Sequence, residues 1–365
     1  MDGGICVIDI IVSKIGAGRY IQGSGALTCI GKEAQYFGKK AFLIGGEHAL
    51  NSAFPAIEKS LRKYEIEFEV KTNKGFCSYE NLDLFCEEAS FKSADMIIGV
   101  GGGKSIDLSK AVAAKLGIPI ITVPTIAATC AAWAPLSIMY SQDGKPKGPL
   151  SHEYEINCVI ADLDILAKAP ERTLASGIAD SFAKSEEISN GEPERNLDST
   201  DVRVYTSYRL AKVIDEILYH SGQDAYNDCK NNNASKTLSD IVYANIAITG
   251  ACSGFASGSN QLAIAHTFNN ALRNGYTEQV NQCYHGEVVG VGLIVQMYYN
   301  KSLNIKSYKS ICESLNLPIN LNQLNIKPSD EIFDYVLKYI IDKMQINSDM
   351  AGVQRIKDGL IDIFK

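Results

Sequence analysis

In the first half of the chain the apolar residues fall in short runs closed by glycine or proline. Arg19 to Gly23, Ala41 to Gly46, Asp95 to Gly101, Ile118 to Pro124 and Cys158 to Leu163 are such runs. A short stretch that is apolar at odd and even positions alike fits a strand buried on both faces, as in a parallel sheet. Between the runs the apolar residues return at helical spacing, as from Asp107 to Leu116. Alternating strands and helices predict an α/β sheet with helices on its faces. Leu136 to Tyr140, then Asp143-Gly144 and a polar return, predicts a β-hairpin. After Asp164 the texture changes. From Ala175 onward helical spacing takes over, for example at Val242 to Ala247, Leu262 to Phe268 and Val288 to Tyr299. Polar loops are expected over Ser189 to Asp201 and Asn227 to Asp240. The pattern predicts an α/β domain over residues 1–165 and an all-helical domain over residues 166–365, with the boundary near Leu166.

At 365 residues the chain is long enough for two cores. Its net charge of −7, with no long basic run, argues against nucleic acid and against attraction to anionic lipid. No apolar run approaches the roughly 20 residues of a membrane span. The ten cysteines include no C-x-x-C pair, and several lie in apolar segments. They read as free thiols in a reducing compartment. Asp2 and Asp9 interrupt the apolar opening, with no basic segment before it, so a secretory leader is not expected. A cytoplasmic protein is the expectation.

The most informative local motif is Gly99-Val100-Gly101-Gly102-Gly103-Lys104-Ser105-Ile106-Asp107. It follows a buried run and opens a helix. Glycines let the backbone approach a phosphate, and a helix N-terminus offers free N–H groups and a partial positive charge. The spacing is neither that of G-x-G-x-x-G nor that of a Walker loop. The alternative reading is a tight strand-to-helix turn. Pro124-Thr125 and Thr129 sit after the next run, where ligands of open α/β sheets bind, or else Thr simply caps a helix.

Of five histidines, His266 and His285 lie in apolar helical surroundings. Asp180 lies in another such stretch, next to no obvious basic partner in the sequence. A carboxylate there is costly unless paired or metal-bound. One carboxylate and two imidazoles would suit a catalytic zinc with an open position. Taken alone, each residue also reads as a hydrogen-bonded core histidine or a helix cap, and no short metal motif joins the three.

These segments together resemble the glycerol dehydrogenase branch of the iron-containing alcohol dehydrogenase superfamily. The resemblance rests on Arg19-Tyr20-Ile21-Gln22-Gly23 with Gly25-Ala26-Leu27, on Gly101 to Lys104 with Asp107, and on Pro124-Thr125 with Thr129. It extends through Ala175-Ser176-Gly177-Ile178-Ala179-Asp180, Ala265-His266 with Asn270, and His285-Gly286-Glu287. It implies a dehydroquinate synthase-like fold, with the site in a cleft between an N-terminal nucleotide-binding domain and a helical C-terminal domain. It implies Asp180, His266 and His285 as catalytic metal ligands. The implied contacts to NAD or NADP are Gly46, Gly101, Gly102, Gly103, Lys104, Asp107, Thr125, Thr129, Leu136 and Tyr140. The implied reaction is hydride transfer between a small secondary alcohol, a polyol such as glycerol or a 2-hydroxy acid, and its ketone. The iron-using branch has a fourth ligand, a His, one helical turn after the Asp; Lys184 stands there, which favours zinc. Family members often form rings, so a homo-oligomer is expected.

Three positions depart from the pattern. Cys130 stands where the glycerol dehydrogenases carry a substrate-binding Asp. The run Thr129-Cys130-Ala131-Ala132-Trp133 is similar instead to the hydroxycarboxylate dehydrogenases, which reduce 2-oxo acids. The acid that binds the adenosine ribose is replaced near Gly46, beside Glu47, which opens the site to NADPH. Asn269 occupies the place of a second family His. Two other classes share features of the pattern. Dehydroquinate synthase-like cyclases need a basic pocket, and the sequence places no Lys/Arg cluster by the ligands. A non-catalytic nucleotide binder would have no use for the metal trio.

Overall fold

The computed structural model describes residues 12–189, 195–256 and 262–365. Six parallel strands form one sheet: β1 (Tyr20–Gly23), β2 (Lys40–Gly45), β3 (Glu67–Thr72), β4 (Met96–Gly101), β5 (Ile120–Pro124) and β8 (Cys158–Asp162). Their order is β1-β8-β5-β4-β2-β3. β6 (Leu136–Tyr140) and β7 (Pro146–Ser151) form the expected antiparallel hairpin, and Gly144 takes a positive φ of 84° in its turn.

The continuous apolar runs are explained by burial on both sides. In β2, Ala41 and Leu43 enter one core, with Leu27, Ile57 and Leu61. Phe42 and Ile44 enter the other, with Ile106, Leu108 and Val112. The same alternation holds in β4, where Ile98 and Val100 face the first core and Ile97 the second. The second core continues without a break into the C-terminal helices, through Leu174, Ile178 and Val288. β3 was not foreseen. Its sequence, EFEVKT, is mostly polar, and its residues are exposed or half-buried at the sheet edge. An edge strand needs only one paired side, and charged side chains there discourage further pairing.

From Leu163 onward the described structure is helical. The Asn227 to Asp240 loop is shorter than expected. One helix continues to Lys230 and the next begins at Lys236, capped by the Ser235 hydroxyl, so polar residues there face solvent from helices. Residues 190–194 of the other expected loop, Cys6, Asp2 and Asp9 lie outside the described residues. All nine described cysteines are free. No helix among the described residues is long and apolar enough to cross a membrane.

Chain order sets the position of the cleft. The chain runs from β2 outward to β3, then crosses back to place β4 on the opposite side of β2. The connections after β2 and β4 therefore leave in opposite directions, and a crevice opens at the carboxyl ends of these strands. α1 (Glu47–Lys63) and α3 (Gly103–Leu116) begin there, with α2 (Tyr79–Phe91) between them in sequence.

One buried lysine ties this crevice to the hairpin. The fully buried Lys110 of α3 donates to the carbonyls of Ala131 (2.7 Å), Ala134 (3.1 Å) and Leu136. Those bonds use its three N–H groups, and Asp107 Oδ1 at 2.8 Å supplies the counter-charge. The other Asp107 oxygen accepts from Ile138 N at 3.1 Å. Ser137 Oγ donates to the Asp107 carbonyl at 2.6 Å and lies 2.8 Å from His152 Nε2, which therefore donates to it.

His152 is only 5% exposed. Burial first, then Lys110 and Lys14, push it down to about 4. An unfolded chain takes up that proton near pH 6.5, whereas the folded chain does so only near 4. The depressed group thus contributes fully above pH 6.5 and loses its contribution, about 3 kcal/mol in all, as pH falls through 4. Urea unfolding of His152→Gln should show a flatter loss of stability between pH 6.5 and 4 than the parent chain. An equal slope contradicts the assignment.

Candidate metal centre and nucleotide cleft

Three helices converge on one point. α4 (Glu171–Ser189) carries Asp180; α8 (Ile264–Gly275) carries His266 in its first turn; α9 (His285–Tyr299) begins with His285. Two glycines permit the approach. A Cβ on Gly286 would lie 1.8 Å from the Ser176 carbonyl oxygen, and one on Gly177 would lie 2.0 Å from the Ala127 carbonyl oxygen. The first contact sets α9 against α4. The second sets α4 against the segment after β5, which joins the helical region to the crevice.

The convergence brings together the three residues singled out from sequence. One donor atom from each of Asp180, His266 and His285 lies within 4.8 Å of the others. His266 Nε2 is 3.3 Å and His285 Nε2 is 3.5 Å from Asp180 Oδ1. That oxygen is buried and accepts no hydrogen bond. The reason is on the far side of His266. Its Nδ1 lies 2.7 Å from Glu187 Oε1, which also accepts the His266 backbone N–H at 3.1 Å. A buried carboxylate holds a ring proton on Nδ1, so in the neutral ring Nε2 turns a lone pair toward Asp180. A carboxylate oxygen and an imidazole lone pair facing each other in a buried pocket need a cation between them. The donor set fits a divalent metal with N and O ligands.

The electrostatics show the same demand for positive charge, met by a ring proton when no metal is bound. Burial would raise Asp180, but His266, His285 and Lys184 hold it well below the usual carboxylate range. Burial would lower His266, but Glu187 and Asp180 bring it up to about 9, while burial takes His285 down to about 4. Glu187 is 1% exposed and is held low, against burial, by His266 and Lys184. Lys184 Nζ lies 3.8 Å from Glu187 Oε2. The expectation that Asp180 has no basic neighbour is therefore corrected. Lys184, one turn along the same helix, balances two buried acids.

The sequence places no Lys/Arg cluster by the ligands, yet the fold brings two cations near them. Lys184 and Arg273 both act on His285. Arg273 follows His266 by seven residues, so the two share a helix face. Sequence reasoning also missed Glu187. It lies seven residues after Asp180 on the Lys184 side, a spacing that signals a shared face, but an adjacent Glu186-Glu187 pair near a helix end reads as a solvated one.

The residues expected to hold a cofactor cluster around the crevice. Gly46 follows β2 and caps α1; Gly101 ends β4; Gly102 caps α3, which starts at Gly103. Thr125 follows β5, and its N–H donates to the Gly101 carbonyl at 3.1 Å. Thr129 Oγ1 accepts from Ala131 N at 3.3 Å. Lys104 is exposed, its ammonium 4.4 Å from the centre of the Phe76 ring. Tyr140 packs beside the same ring. Leu136 offers its carbonyl to Lys110, and Asp107 is held by Lys110 and Ile138, so both shape the cleft from within. Burial and then Asp180 push the Cys130 thiol up to about 11, which keeps it protonated near neutral pH.

Comparison with known proteins decides the family. The profile described as "Iron-containing alcohol dehydrogenase" matches residues 17–165. A glycerol dehydrogenase of Thermotoga maritima is 31% identical over 92% of this chain and 91% of its own length. This chain belongs to the iron-containing alcohol dehydrogenase family. Hydroxycarboxylate dehydrogenase A of Escherichia coli is 34% identical, over 61% of this chain and 60% of its own. A glycerol dehydrogenase of Schizosaccharomyces pombe has the same fold, with a TM-score of 0.81 at 23% identity, covering 98% of this chain and 90% of that one. As a member of this alcohol dehydrogenase family, the chain is a metal- and NAD(P)-dependent alcohol oxidoreductase.

Glu187→Gln keeps the size of the side chain but weakens the hold on His266 Nδ1–H. Loss of such an outer carboxylate costs roughly 10- to 100-fold in metal affinity. Competition titration with a zinc chelator should show that loss with the fold intact by circular dichroism. Unchanged affinity removes Glu187 from the centre.

Proposed function

We propose that this protein interconverts a small secondary alcohol, of the polyol kind such as glycerol, and its ketone, using zinc on Asp180, His266 and His285. NAD or NADP lies along the crevice formed by Gly46, Gly101 to Lys104, Thr125 and Thr129. The observation that carries the reading is the buried Asp180 Oδ1, facing two imidazole nitrogens without a hydrogen bond. When bound, the metal polarises the substrate oxygen and the nicotinamide exchanges the hydride. The chain's own residues prepare that chemistry. Asp180 supplies the negative charge of the site, and Glu187 keeps the proton at His266 Nδ1. The N-terminus of α3 offers backbone N–H groups to the phosphates. Lys110 fixes the segment that holds Cys130 against the metal pocket. Helices around Asp180 exclude water. We further propose that residues 1–165 and 166–365 act as nucleotide and metal domains, and that the free thiols belong to a cytoplasmic protein.

A second reading is supported by Cys130. A neutral thiol beside Asp180 leaves room for a substrate carboxylate that an acid would repel, which suits a 2-hydroxy acid. Exposed Glu47 at the start of α1 stands near the expected ribose position, and Gly46 beside it leaves the space open. That arrangement leaves both NADH and NADPH as candidates.

Zinc-loaded protein should oxidise nicotinamide with dihydroxyacetone in preference to 2-oxobutanoate and 2-oxoglutarate, with NADH or NADPH tested in parallel. A chelator should abolish the rate and zinc should restore it. Preference for the 2-oxo acids selects the second reading. Turnover that ignores the chelator, or no turnover at all, contradicts both.

A further inference from the structure

Two arginines flank the metal helices, and they are treated differently. Arg172 is neutralised by Glu287, with Nε–Oε1 at 2.5 Å and Nη2–Oε2 at 2.8 Å. The same carboxylate accepts the Tyr284 backbone N–H at 2.8 Å, so it is fully used at the start of α9. Arg273 has no such partner. It is half-buried, and among the described residues it forms no ion pair. Its Nε donates to Asn269 Oδ1 at 3.0 Å, and its Nη2 donates to the Cys283 carbonyl at 3.1 Å. Both bonds are neutral, and both hold the fork next to a metal-ligand segment. Asn269 lies one turn after His266, and Cys283 lies two residues before His285.

Across the crevice the neighbours are Lys104 and Tyr140. Beyond the effect of burial, Arg273 lowers the proton affinity of Lys104, and Arg273 acts on Tyr140. One cation thus comes from the helical region and the other from the nucleotide loop; the one carboxylate that acts on Arg273, Glu287, is already paired with Arg172. A rigid, half-desolvated guanidinium with free N–H capacity is the side chain best suited to an oxyanion. Among the described residues no ion pair accounts for it.

We infer that Arg273 is an oxyanion receptor of the cleft, built to take a phosphate of the nicotinamide cofactor or a carboxylate of the substrate. The inference rests on the dehydrogenase reading for the identity of these ligands. Its basis is the unpaired guanidinium on the His266 face. Asn269 and the Cys283 carbonyl position the receptor, and Lys104 adds charge from the opposite wall.

Binding, rather than turnover, separates the outcomes. NADH and NADPH are titrated by fluorescence, and 2-oxobutanoate and dihydroxyacetone by calorimetry, on zinc-loaded parent, Arg273→Met and Arg273→Lys. If the anion is a phosphate, Arg273→Met weakens both nucleotides by roughly 10- to 100-fold, and Lys restores part of the loss. If it is a carboxylate, the nucleotides and dihydroxyacetone bind as before and 2-oxobutanoate alone weakens by a similar factor. Unchanged binding of every ligand overturns the inference. So does an equal loss for neutral and anionic ligands, or a Lys variant no better than Met. Should Arg273→Met fail to fold, the Lys variant and competition by inorganic phosphate against NADH on the parent decide it, and no competition together with parent-like Lys titrations overturns it. A parent that binds these ligands without turnover refutes the dehydrogenase reading and leaves the binding result on Arg273 standing.

Discussion

The site depends on one constraint: a carboxylate oxygen and two imidazole nitrogens meet in a buried space that calls for a cation between them. Such an arrangement is unfavourable in a protein without a cation, and much around it maintains it. Glu187 fixes the proton on the far side of His266. Lys184 offsets the charge of the two buried acids. The close contacts at Gly286 and Gly177 press α9 onto α4 and α4 onto the segment after β5. Loss of any of these would let a ring rotate or a water enter, and the pocket would find a cheaper arrangement.

The nucleotide crevice follows from a different rule. Reversal of strand order around β2 opens the sheet at its carboxyl end, and the loop glycines and the α3 N-terminus occupy that opening. The two sites meet because the segment after β5 runs from one to the other. Lys110 secures that segment through three carbonyls, and Asn245 donates to the Ala127 carbonyl at 3.1 Å from the helical side. Cofactor and metal positions are therefore coupled through a short stretch of backbone.

Much of this was legible in the sequence. Apolar runs at both parities announced the buried strands, and a turn signal announced the hairpin. β3 escaped because an edge strand needs little apolar surface. The helix through Asn227 to Lys230 escaped because its polar residues face water. The metal trio was readable only through its family resemblance, since Asp180, His266 and His285 have no common spacing. Glu187 and Arg273 were silent for the same physical reason: each acts across a packed face, seven residues from a ligand, and a lone sequence shows the spacing without showing which side is buried.

The central claim concerns where a metal sits and what holds it. X-ray absorption at the zinc edge on the zinc-loaded protein, with anomalous diffraction to locate the ion, tests it most directly. The account predicts one ion per chain at Asp180, His266 and His285, with two nitrogen ligands and one carboxylate oxygen from the protein and no sulfur. An ion ligated by Cys130, an ion elsewhere, or no bound ion would contradict it.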